Sequence, residues 1–241
     1  MIKLTDIYVE YHLRGQSISA LNQVNLTIND GDFLAVIGPS GSGKSTLLQV
    51  LGGMLSPKRG HVLFDGVSLY EKTTDQRASF RKSYIGFIFQ TFNLIPFLTA
   101  KQNVQMPLLL DRKSSVNQEE RASQLLTRFG LADRLEHKPS ELSVGQQQRV
   151  ALARMLSNDP PIIIADEPTG SLDPGTSMQI LDFLKELNQE GRTVIMVTHD
   201  PDAAEIGTRY VHLIDGRINE MNINTTKKAN HYGGSKYVGD L

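Results

Sequence analysis

Nine consecutive residues, Gly38-Pro39-Ser40-Gly41-Ser42-Gly43-Lys44-Ser45-Thr46, have the spacing of a loop that grips a nucleoside triphosphate. Glycines in such a loop let backbone N–H groups converge on phosphate oxygens, and the helix that follows presents its positive end. Lys44 adds a full charge for the β- and γ-phosphates, and the Ser45 hydroxyl is suited to ligating Mg²⁺. A second set of chemical groups lies further on. Asp166 and Glu167 close an apolar run, so Asp166 is the carboxylate expected near Mg²⁺, through a water, and Glu167 the one that polarises an attacking water. If extended geometry persists past Asp166, the two carboxylates point to opposite faces of their strand. His199 closes the next apolar run, within reach of a γ-phosphate, and Gln90 closes Ile85-Gly86-Phe87-Ile88-Phe89. The Gln90 amide oxygen can ligate Mg²⁺ or bond the attacking water, and it sits where it can sense the segment that follows. Between these sets lies Leu142-Ser143-Val144-Gly145-Gln146-Gln147-Gln148-Arg149, a turn that opens a helix just upstream of the acidic strand.

The elements that position these groups can be read from periodicity. Ile2, Leu4, Ile7 and Val9, then Leu21, Val24, Leu26 and Ile28, alternate with polar residues as in half-buried antiparallel strands. Residues 33–37, 162–165 and 193–197 are continuously apolar, the pattern of central strands in a parallel sheet covered by helices. Between the last two, Ile180, Leu181, Leu184 and Leu187 recur at helical spacing over roughly 175–189, completing a β-α-β unit. Residues from about 91 to 158 show helical spacing only (Leu125, Leu126, Phe129, then Leu152, Met155, Leu156) and read as a helical insert in the core. Residues 1–220 thus form one α/β domain, and 221–241 a polar tail whose Tyr232 and Tyr237 offer the alternative of a partner contact.

Composition narrows the class. The 241 residues carry a net charge of −1, so no global field recruits nucleic acid. With no cysteine, there can be no disulfide, thiolate metal site or cysteine nucleophile, which suits a cytoplasmic location. The first residues lack the apolar stretch of a secretory signal, and no run of apolar residues is long enough to span a bilayer.

Taken together, these motifs resemble the ABC ATPase family. Phosphate loop, Gln90, Ser143-Val144-Gly145-Gln146, Asp166-Glu167, Ser171-Leu172-Asp173 and His199 stand in that family's order and approximate spacing over residues 1 to about 220. The resemblance implies a P-loop NTPase fold of the ABC-ATPase type: a parallel-sheet core, an antiparallel β lobe and a helical insert. It implies ATP and Mg²⁺ as ligands and a homodimer that closes around two ATP, each phosphate loop meeting the other copy's Ser143, Gly145 and Gln146. Tyr11 is similar to the aromatic that stacks on adenine, and Ser171-Leu172-Asp173 to the loop that crosses the dimer interface. The family's turn usually reads Leu-Ser-Gly-Gly-Gln; Val144 replaces its first glycine. Either that position needs no glycine conformation, or the turn is altered.

Phe87 to Pro96, Thr99-Ala100, Asn103-Val104 and Pro168 to Asp173 resemble the branch of lipoprotein-releasing, macrolide-export and antimicrobial-peptide-resistance ATPases. The implied partner is an integral-membrane permease on a separate chain, holding this one on the inner face of the cell membrane, with no nucleic acid partner. A regulatory ATPase of the cell-division type, acting on a membrane partner without transport, is the alternative. Chromosome and repair ATPases of the superfamily are disfavoured: only about 100 residues separate Thr46 from Leu142, without heptads. Translation-factor relatives join two such units, and this chain has one.

Overall fold

The structure is a computed structural model that describes residues 1–13, 15–110, 118–170 and 172–223. Two strands, β1 (Ile2–Leu13) and β2 (Gln16–Ile28), form an antiparallel pair that continues through β4 (Arg59–Phe64) and β5 (Val67–Ser68), in the order β2-β1-β4-β5. Their apolar residues change parity part-way: Ile2 and Leu4 are even, Ile7 and Val9 odd. A register shift at Asp6, where φ is 50°, absorbs the slip and keeps all four side chains in the core. Gln23, at φ 57°, separates Leu21 from Val24 in β2, where the parity changes again.

The second sheet has six strands in the order β10-β9-β3-β8-β7-β6: β3 (Phe33–Ile37), β6 (Ile85–Ile88), β7 (Ile162–Asp166), β8 (Thr193–Thr198), β9 (Arg209–Ile214) and β10 (Arg217–Ile223). All neighbours pair in parallel except the edge pair of β9 with β10. The central strands are buried almost throughout, as their uninterrupted apolar runs require. Strand β10 carries ordered chain to Ile223, three residues into the stretch expected as a tail. Residues 224–241, with Tyr232 and Tyr237, lie outside the described residues, as does Ser171.

Two apolar clusters flank the sheet. On one face Leu47, Leu48, Val50 and Leu51 of α1 (Lys44–Leu51), and Phe80 of α2 (Thr74–Tyr84), pack with the antiparallel lobe. On the other lie α3 (Ala100–Leu110), α4 (Gln118–Arg128), α5 (Val144–Met155), α6 (Pro174–Gln189) and the short α7 (Pro201–Ala204). Among the described residues of the 91–158 segment there is no strand, and its helices share one core with the sheet. Because β3, β6, β7 and β8 run parallel, the residues that follow them gather on one sheet edge, where ligands bind in such folds.

Candidate functional site

Gly38 follows β3, and a side chain there would collide with the Leu213 carbonyl, 2.1 Å from the Cβ position, and with Ser42 Oγ. Gly43, the N-cap of α1, has φ 101°, and its Cβ would lie 2.2 Å from the Ala20 carbonyl. Both glycines are required by close approach, and at Gly43 by the left-handed backbone as well. No N-cap side chain accepts from the first turn of α1, which leaves its leading N–H groups to other acceptors. The Lys44 ammonium is buried and donates to the Gly38 carbonyl at 2.7 Å and the Pro39 carbonyl at 3.1 Å. Ser42 Oγ is also buried and has no hydrogen-bond partner. A glycine loop at a helix N-terminus, with a buried cation and an unpartnered hydroxyl, fits a polyphosphate.

Ser45 Oγ donates to Asp166 Oδ1 at 3.2 Å, bringing together two of the three expected metal ligands. Burial holds the Asp166 carboxyl above its ordinary range, with a further push from the Glu167 charge, against the Ser45 hydrogen bond and the Lys44 charge. Gln90 lies two residues past the end of β6, and its Nε2 is 3.4 Å from where a Cβ on Gly170 would stand, which sets it against the loop after Glu167. Hydroxyl, amide and carboxylate oxygens suit a hard divalent cation. Among the described residues no three His, Cys, Asp or Glu side chains could hold a metal by themselves.

The expectation that Asp166 and Glu167 face opposite sides of a strand is overturned. Extended geometry stops at Asp166, and Glu167 takes a left-handed conformation at φ 47°. The turn swings its carboxylate back to the same edge: Oε1 lies 4.0 Å from Lys44 Nζ, and Oε2 is 2.9 Å from His199 Nδ1. The His199 N–H also reaches Oε2, at 3.4 Å. A strained non-glycine backbone is a conformation the surroundings must hold. Its N–H donates to the Val197 carbonyl and its own carbonyl accepts from Gly170.

Ser143 caps α5 in a reciprocal arrangement. Its Oγ accepts from the Gln146 N–H at 3.3 Å, while Gln146 Oε1 accepts from the Ser143 N–H at 2.9 Å. The Gln146 amide oxygen is thus engaged in shaping the turn, and the Ser143 hydroxyl proton stays free to donate outward. Val144 is the first residue of the helix, is 51% exposed and has no positive φ, so this position needs no glycine conformation. Gly145 sits tightly, its Cβ position 3.2 Å from Thr176 Cγ2. Asp173 caps α6, accepting from the Thr176 N–H at 3.0 Å, and the Thr176 hydroxyl holds its carboxyl below the ordinary range. Tyr11 is 37% exposed on β1, its hydroxyl 3.4 Å from Thr46 Oγ1 on the phosphate-loop helix.

Two site residues escaped the sequence reading. Gln148 is fully buried and donates to the Pro168 carbonyl at 3.0 Å. Arg154 donates at 2.6 Å to each of the Phe92 and Asn93 carbonyls, just past Gln90, where both residues are left-handed at φ 52° and 49°. A signal existed for Gln148: it shares an apolar stripe with Leu152 and Met155, an unusual place for an amide.

Comparison with known proteins agrees with this geometry. The family model described as ABC transporter matches residues 21–170. An ABC transporter ATP-binding protein of Methanocaldococcus jannaschii, MJ0796, is 46% identical over 223 residues, covering 90% of this chain and 95% of the relative. The macrolide export ATP-binding/permease protein MacB of Syntrophobacter fumaroxidans is 48% identical over 90% of this chain, which spans only 31% of that longer protein. A solved dimeric structure of MJ0796 in a post-hydrolysis state, bound to ADP and Pi, superposes with a TM-score of 0.87 at 42% identity, covering 92% of this chain and 98% of that one. The chain belongs to the ABC transporter family, as an ATP-binding, ATP-hydrolysing cassette with the α/β fold of that family.

Proposed function

We propose that two copies of this chain close around two ATP and that the cycle of closing and hydrolysis drives a membrane permease carried on another chain. The observation that supports this most is the division of the site. Lys44, Glu167 and His199 form one connected cluster, whereas Ser143 is exposed and bonded within the first turn of α5, where its Oγ accepts from the Gln146 N–H. A γ-phosphate held by one chain then lacks a donor that a second copy supplies, in a two-fold arrangement. The relatives fit: MJ0796 is dimeric in its solved structure, and MacB joins an ATP-binding part to a permease in one protein. Among the described residues no helix is long and apolar enough to cross a membrane.

In this reading Gly38 to Thr46 bind the phosphates and Tyr11 stacks on the adenine. Water attacks the γ-phosphorus while the bond to the ADP oxygen breaks. Glu167 orients that water and takes its proton, and His199 holds the Glu167 carboxylate and faces the γ-phosphate. Lys44 and the partner's turn offset the negative charge that spreads over the transferred group. Ser45, Gln90 and Asp166 would hold Mg²⁺, which when bound neutralises phosphate charge. Asp173 and the loop before it form part of the contact between copies. The branch is that of lipoprotein release or export of lipophilic or peptide substrates, and the chain is held peripherally on the inner face of the membrane by its permease.

The test is size-exclusion chromatography of Glu167→Gln with and without ATP. The variant should run as a monomer without nucleotide and as a dimer at saturating ATP. A variant that binds ATP but stays monomeric would falsify the two-copy site.

A further inference from the structure

We propose that Gln148 is a positioning residue for hydrolysis. From helix α5 it fixes the loop that carries Glu167, so the turn a chain lends to its partner's ATP and the carboxylate it uses on its own ATP move as one piece. The inference rests on the two-copy reading above.

Three observations carry it. The first is the bond itself: Gln148 has no exposed surface, and its Nε2 donates to the carbonyl of Pro168, the residue after Glu167, at 3.0 Å. The second is what that bond leaves behind. Gln148 Oε1 is buried without a partner, so the amide sits in the core with half of its bonding unmet. An apolar side chain of similar size would avoid that cost, which makes the single bond to Pro168 the reason for an amide there. The third is the far end of the same loop. Gly145, in the first turn of α5, abuts Thr176, whose hydroxyl and N–H hold Asp173. Helix α5 thus bonds to Pro168 through Gln148 and packs against Thr176 at Gly145.

The loop needs such a grip because Glu167 is left-handed at φ 47°, a conformation a glutamate leaves readily when released. Its N–H is tied to Val197 on β8, in the core of the chain. Gln148 supplies a tie from the helix that faces the partner. When ATP in the opposite site draws Ser143 and its helix inward, the Pro168 carbonyl and the backbone of Glu167 follow. Each site would then be completed by nucleotide in the other.

The experiment compares wild type with Gln148→Met and Gln148→Leu, both of which place an apolar side chain of similar volume there and remove the donor to the Pro168 carbonyl. Steady-state ATPase, affinity for ATP by equilibrium titration, the Hill coefficient and the melting temperature are measured on the full chain. The expected result is kcat lowered about 10- to 100-fold, since small misplacements of catalytic groups cost that much. Affinity should stay within about 2-fold, and the Hill coefficient should fall toward one. If Gln148→Met fails to fold, Gln148→Leu is read in the same way. Turnover at the wild-type rate and cooperativity in either folded variant overturns the proposal. So does a parallel loss of affinity and melting temperature, which marks a packing residue. Failure of the two-copy reading is separate: it leaves Glu167→Gln itself monomeric with ATP, whereas failure of this proposal leaves that dimer intact and Gln148→Met fully active.

Discussion

Glu167 and Asp166 are neighbours in sequence and differ in what holds them. Asp166 ends a buried strand, and burial raises its carboxyl above the ordinary range. A carboxyl raised in the folded state contributes stability that is present below its ordinary value and lost as pH rises through the folded one. In nucleotide-free chain at neutral pH, Asp166 is therefore a cost to the fold, and Asp166→Asn should raise the melting temperature slightly while abolishing most turnover. A thermal melt at pH 7 beside an ATPase assay checks it, and a lowered melting temperature would show that the Ser45 hydrogen bond dominates. Roles should also separate between Lys44 and His199. Lys44→Ala leaves phosphate charge without its buried partner and should weaken ATP binding at least 10-fold. His199→Ala frees Glu167 Oε2 and should spare binding while lowering kcat by roughly 100-fold or more. Isothermal titration and initial rates distinguish the two. Val144 is simpler. It is exposed at the first position of α5, so Val144→Gly should cost only a few tenths of a kcal/mol and leave ATPase unchanged.

At the scale of elements, the strands and the phosphate loop were legible because their signals are local. Uninterrupted apolar runs and a glycine pattern of fixed spacing specify geometry without reference to the rest of the chain. The turn at Glu167 was not legible, because nothing in Asp166-Glu167-Pro168 announces a left-handed glutamate; His199, Val197 and Gln148, distant in sequence, hold it there. The tie from Arg154 to Phe92 and Asn93 was hidden for the same reason. Burial depresses the Arg154 guanidinium from its usual value, and two backbone carbonyls satisfy it. One helix, α5, therefore holds the segments after Gln90 and after Glu167 while presenting Ser143. The phosphate loop shows the opposite case, where sequence pattern and packing agree. Gly43→Ala puts a Cβ 2.2 Å from the Ala20 carbonyl at φ 101°, and should cost about 3 kcal/mol in chemical denaturation and most nucleotide binding. A loss under about 1 kcal/mol would mean the loop relaxes away from β2.

For the whole molecule, the question is where the motion of closure leaves the chain. Phe97 is 72% exposed, the most exposed large apolar residue among the described residues of the segment after Gln90, with Leu109 and Leu110 also exposed at the end of α3. It is not a loose residue. The buried Asn103 accepts from the Ile95 N–H at 2.8 Å and donates to the carbonyls of Ile95, Leu98 and Thr99, so the loop that presents Phe97 is braced from beneath. An aromatic ring held outward on a braced loop, on the segment that follows Gln90 and is tied through Arg154 to α5, is suited to the hydrophobic contact with a short cytoplasmic helix that the proposed permease would offer. Phe97→Glu should therefore leave basal ATPase of the purified chain within about 2-fold of wild type, because the ring lies mostly in solvent. Complex formation with the permease, measured by co-purification from membranes, should fall about 10-fold or more, since hot-spot aromatics dominate such contacts. Full retention of the complex would move the contact elsewhere on the insert, and loss of basal ATPase would show that the brace at Asn103 had failed instead.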